Sequence, residues 1–236
     1  MNITDLYSTR IQKTYDDDQA EIVSILKANP KKRVKLINYY KGLPVSYPAT
    51  IDGIDRGILD LDVQAEQAFV MEEIRSVFIR SPLFKHDLFA HVQYVNVKKC
   101  VVTLVKFAYV EIMAEKRNFI RIAPEPHPRV VIKSAQEVID GKLEDVSLSG
   151  INVSIGNSCL IEPGCEADAT FTLATLDQNH IQKYCVPAML TAVSGDALPR
   201  NYRFSIHPDR SLERELSQYI IQRQIEIIRE IKDAVD

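Results

Sequence analysis

Short strand-like segments separated by turn residues dominate this chain of 236 residues. Turn signals such as KGLP, DRG and SP punctuate the first part of the chain. Val101, Thr103, Val105 and Phe107 alternate with other residues, which predicts that they share one face of a strand. About six short strands in roughly 80 residues predict a small antiparallel barrel or sandwich. These strand-like runs are RVKLINYY, YPATIDGID, GILDLDV, QAFVMEEIRSVFIRS, FAHVQYVNV and CVVTLVKFAYVEIM.

A second strand-rich block follows residue 114, which predicts a second β-domain. Its five runs are RVVIKSA, GKLEDVSLSGINVSIG, EADATFTLATL, QKYCVPAMLTAVSG and NYRFSIH. We therefore divide the chain into domains at residues 1–113 and 114–236. The octapeptide EKRNFIRI, residues 115–122, lies where the two blocks meet, and junctions between domains are favoured places for ligands.

Helical periodicity is present only near the two ends of the chain. DDDQAEIVSILKAN reads as a short amphipathic helix, for which Asp18 is the expected cap with Glu21 three residues on. Residues 211–236 repeat apolar side chains at helical spacing, so we predict a C-terminal amphipathic helix. Its apolar stripe is wide enough to pack on its own barrel or on a partner, including a second copy in a homodimer.

The composition argues against several classes of function. A formal net charge of −3 is unlike that of a general nucleic-acid binder. No run approaches the roughly 18 apolar residues that a membrane-spanning helix needs, and the N-terminus lacks a signal-peptide core. We therefore expect a cytoplasmic protein. The four cysteines contain no CxxC pair, so no metal site is expected.

The sequence offers no recognisable catalytic constellation. It lacks a GxSxG elbow, a GxxxxGK[ST] phosphate loop and a GxGxxG turn. The carboxylates of DGIDRGILDLD lack EF-hand spacing and read as solubilising surface groups. We therefore expect a protein that is not an enzyme and that has no cofactor.

Two short motifs stand out from this background. The first is Arg117-x-x-x-Arg121, which on its own reads as solvated charge. The second is Asp145-x-Ser147-x-x-Gly150, which on its own reads as a turn with a glycine at positive φ. With 23 residues between them, the two motifs together match the signature of the PilZ domain, a family that binds the bacterial second messenger cyclic di-GMP.

The resemblance extends beyond these five positions. GINVSIG resembles the strand after the second motif, YRFSI the closing strand of the domain, and LSQYIIQRQIEIIRE the helix often found after it. The preceding block resembles the N-terminal barrel of YcgR-like flagellar brake proteins in architecture only. The resemblance implies a mainly β protein with two small antiparallel barrels. Residues 1–113 would form a YcgR-like split barrel with a leading helix, and residues 114–236 a PilZ barrel with helix 211–236.

The resemblance also implies a role for each motif residue. The guanidinium groups of Arg117 and Arg121 would grip guanine O6 and N7 or phosphate oxygens. The carboxylate of Asp145 would accept hydrogen bonds from guanine N1–H and N2–H₂, and Ser147 would add a hydroxyl contact. Gly150 would allow close approach of the backbone or hold the turn. Cyclic di-GMP is thus the expected ligand.

Two other residues of the octapeptide matter to this interpretation. Many relatives carry a third arginine where this chain has Lys116, and a lysine keeps the charge but loses the planar guanidinium. We include Lys116 among the ligand residues and expect it to affect how many ligand molecules bind. Phe119, which lies between the motif arginines, is expected to anchor the segment in one of the barrels.

The implied output is regulation rather than catalysis. Ligand binding at the junction would change the orientation of the domains and regulate motility through a protein partner, such as a flagellar motor or switch component. Recruitment to the flagellar basal body would follow. Alternatives are control of exopolysaccharide, pili or biofilm formation, and a PilZ scaffold that no longer binds nucleotide.

Overall fold

A computed structural model describes residues 6–174 and 181–235 of the chain. Over these residues the protein is mainly β, with thirteen strands and three α-helices. Residues 175, 176 and 236, which fall at the ends of a predicted strand and the predicted C-terminal helix, lie outside the described residues. Two compact units emerge from the contacts within the chain. The N-terminal unit comprises residues 6–40, 44–117 and 227–235, and the C-terminal unit comprises 41–43, 118–174 and 181–226.

A six-stranded ring forms the centre of the N-terminal unit. Its strands run in the order β7-β4-β3-β2-β5-β6, and β6 pairs with β7 to close the ring. A short strand, β1, pairs with β7 outside the ring. Leu36, Ile51, Leu61 and Leu104 lie fully buried in its core. The elements are β1 Tyr7–Thr9, α1 Tyr15–Lys27, β2 Arg33–Tyr40, β3 Leu43–Asp55, β4 Ile58–Asp62, α2 Ala65–Ile74, β5 Ser76–Arg80, β6 Asp87–Asn96, β7 Val101–Ile112 and a 3-10 helix at Met113–Lys116.

The C-terminal unit is built on a second closed barrel. Its six strands run in the order β10-β13-β12-β11-β8-β9, and every neighbouring pair is antiparallel. Val130, Leu143, Val153 and Phe204 are among its buried core residues. The two barrels and the mainly β fold confirm the predicted fold class. The elements are β8 Arg129–Ser134, β9 Val138–Ser147, β10 Gly150–Ile155, β11 Glu166–Ala174, β12 Ile181–Ser194, β13 Arg200–Ile206 and α3 Arg210–Asp233.

The C-terminal helix α3 has both a buried and an exposed apolar side. Leu216 and Ile227 are fully buried, whereas Ile221, Ile225 and Ile228 are exposed to solvent. Among the helices of residues 6–174 and 181–235, none is long and apolar enough to cross a bilayer. In the same residues, no group of three or more His, Cys, Asp or Glu side chains is placed to hold a metal ion.

Two local predictions in the N-terminal unit were wrong. The run QAFVMEEIRSVFIRS is not one strand: it forms α2 and then β5, separated by Arg75 in a left-handed conformation at φ 61°. Ala, Glu, Gln and Met favour a helix in its first half. Asp18 does not cap α1, since Thr14 is the capping residue and accepts from the Asp17 amide. The carboxylate of Asp18 instead accepts from the backbone amides of Gln12 and Lys13.

The predicted alternation along β7 is interrupted by a bulge. Phe107 is fully buried together with Val102 and Leu104, whereas Val101, Thr103 and Val105 are only partly buried. Lys106 adopts φ 58°, and the pairing of β7 with β6 shifts register at this point. Because one extra residue reverses the side to which later side chains point, Phe107 does not share the face of Val101.

Candidate nucleotide-binding site

The second motif forms a β-hairpin in the barrel of the C-terminal unit. β9 and β10 are joined by Leu148 and Ser149, and Ser147 pairs with Gly150 while Asp145 pairs with Asn152. Val146 and the residue paired with it, Ile151, lie in the buried core. Since side chains alternate along a strand, Asp145, Ser147 and Asn152 point to the opposite side. We call these three side chains the acceptor face.

The acceptor face is polar yet almost inaccessible to solvent. Asp145, Ser147 and Asn152 are only 2%, 2% and 3% exposed. The Nδ2 of Asn152 donates to Oδ2 of Asp145 at 3.2 Å, and Oγ of Ser147 donates to the carbonyl oxygen of Gly150 at 3.1 Å. Buried polar groups held by such bonds have fixed orientations. The three side chains of the acceptor face are therefore held in fixed orientations.

Gly150 is a glycine for reasons of space. A Cβ at this position would lie 2.9 Å from the carbonyl oxygen of Phe204 on β13. Its φ does not fall in the left-handed region, so the turn with a positive-φ glycine expected from the motif alone is not formed. The glycine instead lets β10 and β13 approach closely beside Ser147.

A short antiparallel bridge joins the segment after the first motif to β9. The amide of Ile122 donates to the carbonyl of Val146 at 2.9 Å, and the amide of Val146 donates to the carbonyl of Ile122 at 3.0 Å. Arg121, one residue earlier, is half-buried and lies in the same unit as Asp145 and Ser147. The bridge therefore places a motif arginine next to the strand that carries the second motif.

The turn of residues 41–43, which clusters with the C-terminal unit, fixes the backbone at Arg121. The carbonyl of Lys41 accepts from the amide of Ala123 at 3.0 Å. Gly42 adopts φ +91°, and a Cβ there would stand 1.9 Å from the carbonyl oxygen of Arg121. Only glycine allows both this conformation and this contact.

A charged cluster holds the residues that follow Arg121. The carboxylate of Glu125 accepts from Nζ of Lys41 at 2.6 Å and from Nη2 of Arg223 at 2.8 Å. The buried Arg223 also donates from Nε to the carbonyl of Ala123 at 3.3 Å. Lys41 and then Arg223 hold the pKa of Glu125 below its usual range. Turn 41–43 and α3 thus both contact residues 121–125, through the backbone of Arg121 and Ala123 and the carboxylate of Glu125.

Lys116 and Arg117 belong to the N-terminal unit, where Glu111 pairs with Lys116 and Tyr39 lies near Arg117. Nζ of Lys116 pairs with Oε1 of Glu111 at 2.6 Å, and Lys116 and then Arg10 lower the pKa of that carboxyl. Burial raises the pKa of Tyr39 to about 12, Glu115 adds to this, and the positive charge of Arg117 opposes it. Arg117 therefore lies close enough to Tyr39 to act on its hydroxyl.

Residues 116–121, which we call the cationic segment, are mostly open to solvent. Lys116 is exposed, and Arg117 and Arg121 are half-buried. Phe119 and Ile120 are each 42% exposed. The expectation that Phe119 anchors the segment in a barrel was therefore wrong.

Sequence reasoning missed Asn152, the third member of the acceptor face, and its neighbour Arg203. Arg203 on β13 is the cross-strand partner of Asn152 in the barrel register. Asn152 could have been found, because in a two-residue hairpin that pairs Ser147 with Gly150, Asp145 must oppose Asn152.

Comparison with known proteins finds similar structures but no similar family model. No family model and no curated protein matches the chain. YcgR of Escherichia coli in complex with cyclic di-GMP is 16% identical over the whole of both chains, with a TM-score of 0.45. The isolated PilZ domain of YcgR with cyclic di-GMP is 18% identical over 50% of this chain and 98% of its own, with a TM-score of 0.39.

A further similar structure is an inhibitor of motility from Bacillus subtilis, MotI/DgrA. It is 14% identical over 84% of this chain and 98% of its own, with a TM-score of 0.42.

Proposed function

We propose that this protein is a cyclic di-GMP receptor of the PilZ type and not an enzyme. The observation that carries the proposal is the bridge between Ile122 and Val146, with the half-buried Arg121 on one side of it and the buried Asp145 and Ser147 on the other. A cation and a fixed row of acceptors in one unit complement a ligand that has phosphodiester anions and guanine donors.

Each group has a distinct part in this proposal. The carboxylate of Asp145 accepts from N1–H and N2–H₂ of a guanine. The guanidinium of Arg121 binds either phosphate oxygens or guanine O6 and N7 in a bidentate manner. Ser147 holds the hairpin through its bond to the Gly150 carbonyl and keeps oxygen lone pairs for the ligand. Arg117 and Lys116 add positive charge from the preceding residues of the segment.

Calorimetry with cyclic di-GMP tests the proposal. Replacing Arg121 or Arg117 by alanine should weaken binding by roughly 5- to 150-fold for each lost bidentate contact. Arg214→Ala is a matched control, because Arg214 is an exposed arginine on α3. Unchanged binding in both motif variants, or no binding by the unmodified protein, would refute the assignment.

We further propose that ligand binding changes the relative orientation of the two units. A ligand shifts such an equilibrium only by binding one orientation more tightly than the other. Because the cationic segment spans the division between the units in sequence, a ligand held by Arg117 and Arg121 would couple them. Small-angle scattering should differ with and without cyclic di-GMP, and superimposable curves would reject this step.

Regulation of motility through a protein partner is the output we propose. Capture experiments with flagellar motor and switch proteins should show binding that depends on cyclic di-GMP and is lost in Arg121→Ala. Nucleotide-dependent capture of proteins of exopolysaccharide or pilus assembly instead would assign the receptor to that output.

A further inference from the structure

The acceptor face contains a buried oxygen that the two motifs leave unexplained. Oδ1 of Asn152 is buried and accepts no hydrogen bond from the described part of the chain. The side chain as a whole is only 3% exposed. A buried acceptor without a donor costs on the order of 1–3 kcal/mol, so a structure that keeps one calls for an explanation.

The neighbouring hydrogen bond fixes the way this amide points. Nδ2 of Asn152 donates to Oδ2 of Asp145, so its Oδ1 must face away from that carboxylate oxygen. The reversed amide would set Oδ1 against the carboxylate, two acceptors in contact, which is unfavourable. The pair thus presents Oδ1 of Asp145 and Oδ1 of Asn152 as two acceptors on neighbouring strands.

We propose that Asn152 is a further residue of the cyclic di-GMP site, in which it positions the carboxylate of Asp145 and accepts a hydrogen bond from guanine. This inference rests on the proposed function. A guanine presents three N–H hydrogens side by side, one on N1 and two on N2. The carboxylate of Asp145 keeps lone pairs beside its bond to Nδ2 and accepts from N1–H and one N2 hydrogen, and Oδ1 of Asn152 accepts from the other.

The charges around Asn152 define the test. Asp145 and Glu144 lie on β9, and Arg203 is the cross-strand partner on β13. The variant Asn152→Asp keeps the shape of the side chain but replaces the Nδ2 donor by an acceptor. Two carboxylates in contact share a proton, which raises the pKa at which the pair takes it up, while Arg203 acts in the opposite direction. When this pair of carboxylates holds one proton, the side chain at position 152 again offers one donor to Asp145 and one free carbonyl oxygen.

We therefore expect a pH-dependent defect in Asn152→Asp. At pH 8, cyclic di-GMP should bind about tenfold more weakly than to the unmodified protein, as for one lost hydrogen bond to a charged group. At pH 5 the defect should shrink to about threefold or less, because the protonated carboxyl replaces the amide. Asn201→Asp on the same barrel is the matched control and should bind like the unmodified protein at both pH values.

The outcomes separate this inference from the proposed function. Unmodified protein that fails to bind cyclic di-GMP refutes both. The role of Asn152 alone is refuted if the unmodified protein binds and Asn152→Asp has the same affinity for cyclic di-GMP at both pH values. It is also refuted if the affinity of Asn152→Asp is reduced by the same factor at both. If Asn152→Asp does not fold, Asn152→Thr replaces it, since threonine suits a strand and keeps a donor but has no carbonyl. Asn152→Thr should bind cyclic di-GMP about fivefold more weakly than the unmodified protein, and an unchanged affinity would overturn the inference.

Discussion

The acceptor face and the cationic segment, which contain the two motifs, differ in how far their side chains are buried and held by hydrogen bonds. Asp145, Ser147 and Asn152 are almost fully buried and held by hydrogen bonds in a two-residue hairpin. The cationic segment is largely open to solvent, and the ion pair of Lys116 with Glu111 lies on the surface. A buried, hydrogen-bonded row cannot rearrange cheaply, whereas the exposed Lys116 exchanges partners at little cost. In the proposed site, the acceptors for guanine are thus already fixed by hydrogen bonds, and the exposed part of the cationic segment is the part that adapts.

The largest expected effect on stability tests whether Gly42 anchors Arg121, the last residue of the cationic segment. Gly42→Ala should destabilise the protein by about 3 kcal/mol, because it combines a left-handed backbone with overlap against the Arg121 carbonyl. Gly57→Ala is the matched control: φ is +79° and no atom lies within 4 Å, so we expect a loss of only about 1 kcal/mol. Urea unfolding followed by circular dichroism measures both. Equal losses would mean that the contact with Arg121 contributes nothing.

The next effect concerns the acceptor face itself. Asp145→Ala should weaken cyclic di-GMP binding by roughly 10- to 150-fold, the effect of losing a hydrogen bond to a charged group. Asp140→Ala, on the same strand but exposed and paired with Arg129, should bind normally. Calorimetry distinguishes the two. If both variants bind alike, recognition does not depend on the buried carboxylate.

A smaller effect concerns the cluster that follows Arg121. Arg223→Met should lower the free energy of unfolding by about 1–2 kcal/mol at pH 7, since it loses the ion pairs with Glu125 and Glu226, and the largely exposed Glu125 is partly screened. Because the folded-state pKa of Glu125 is lowered, its stabilising effect is complete above the usual glutamate pKa. The effect is lost as the pH falls through the lowered value.

The difference between Arg223→Met and the unmodified protein should therefore narrow in acid, as measured by urea unfolding at several pH values. A difference that stays constant down to pH 3 would assign the effect to the Ala123 carbonyl contact alone.

The smallest effect tests the adaptable end of the segment. Glu111→Gln removes the carboxylate that holds Lys116 and should strengthen cyclic di-GMP binding by no more than about twofold, as is usual for an exposed ion pair. The gain should disappear at high salt. A loss of affinity would show instead that Glu111 places Lys116 correctly for the ligand.

Sequence patterns predicted two β-domains, with barrel and sandwich both open, because strands separated by turns leave few ways to bury both apolar blocks. The resemblance to PilZ and YcgR-like proteins implied the two barrels. The α2 helix was missed because Phe69, Val70 and Met71 suit a buried strand or a buried helix equally well. The bulge at Lys106 was missed because a lysine in the sequence does not indicate a positive φ. The local context of the strand sets that conformation.

At the site, the motifs identified Asp145, Ser147 and Gly150 but not Asn152. An asparagine in a strand carries no signal of its own, and its importance comes from the partner across the hairpin. The contact between Gly42 and Arg121 joins residues 79 positions apart in the sequence. No local pattern encodes such a contact, since it depends on where the barrel strands bring the chain.

The turn of residues 41–43 has a consequence for dissecting this protein. A fragment that starts at residue 114 contains both motifs but lacks the Lys41 carbonyl that receives the Ala123 amide and the ammonium group that faces Glu125. The C-terminal unit is therefore not one contiguous piece of the gene. A domain swap that exchanges everything before residue 114 also replaces three residues of the module it intends to keep. Chimaeras should carry residues 41–43 along with residues 118–226.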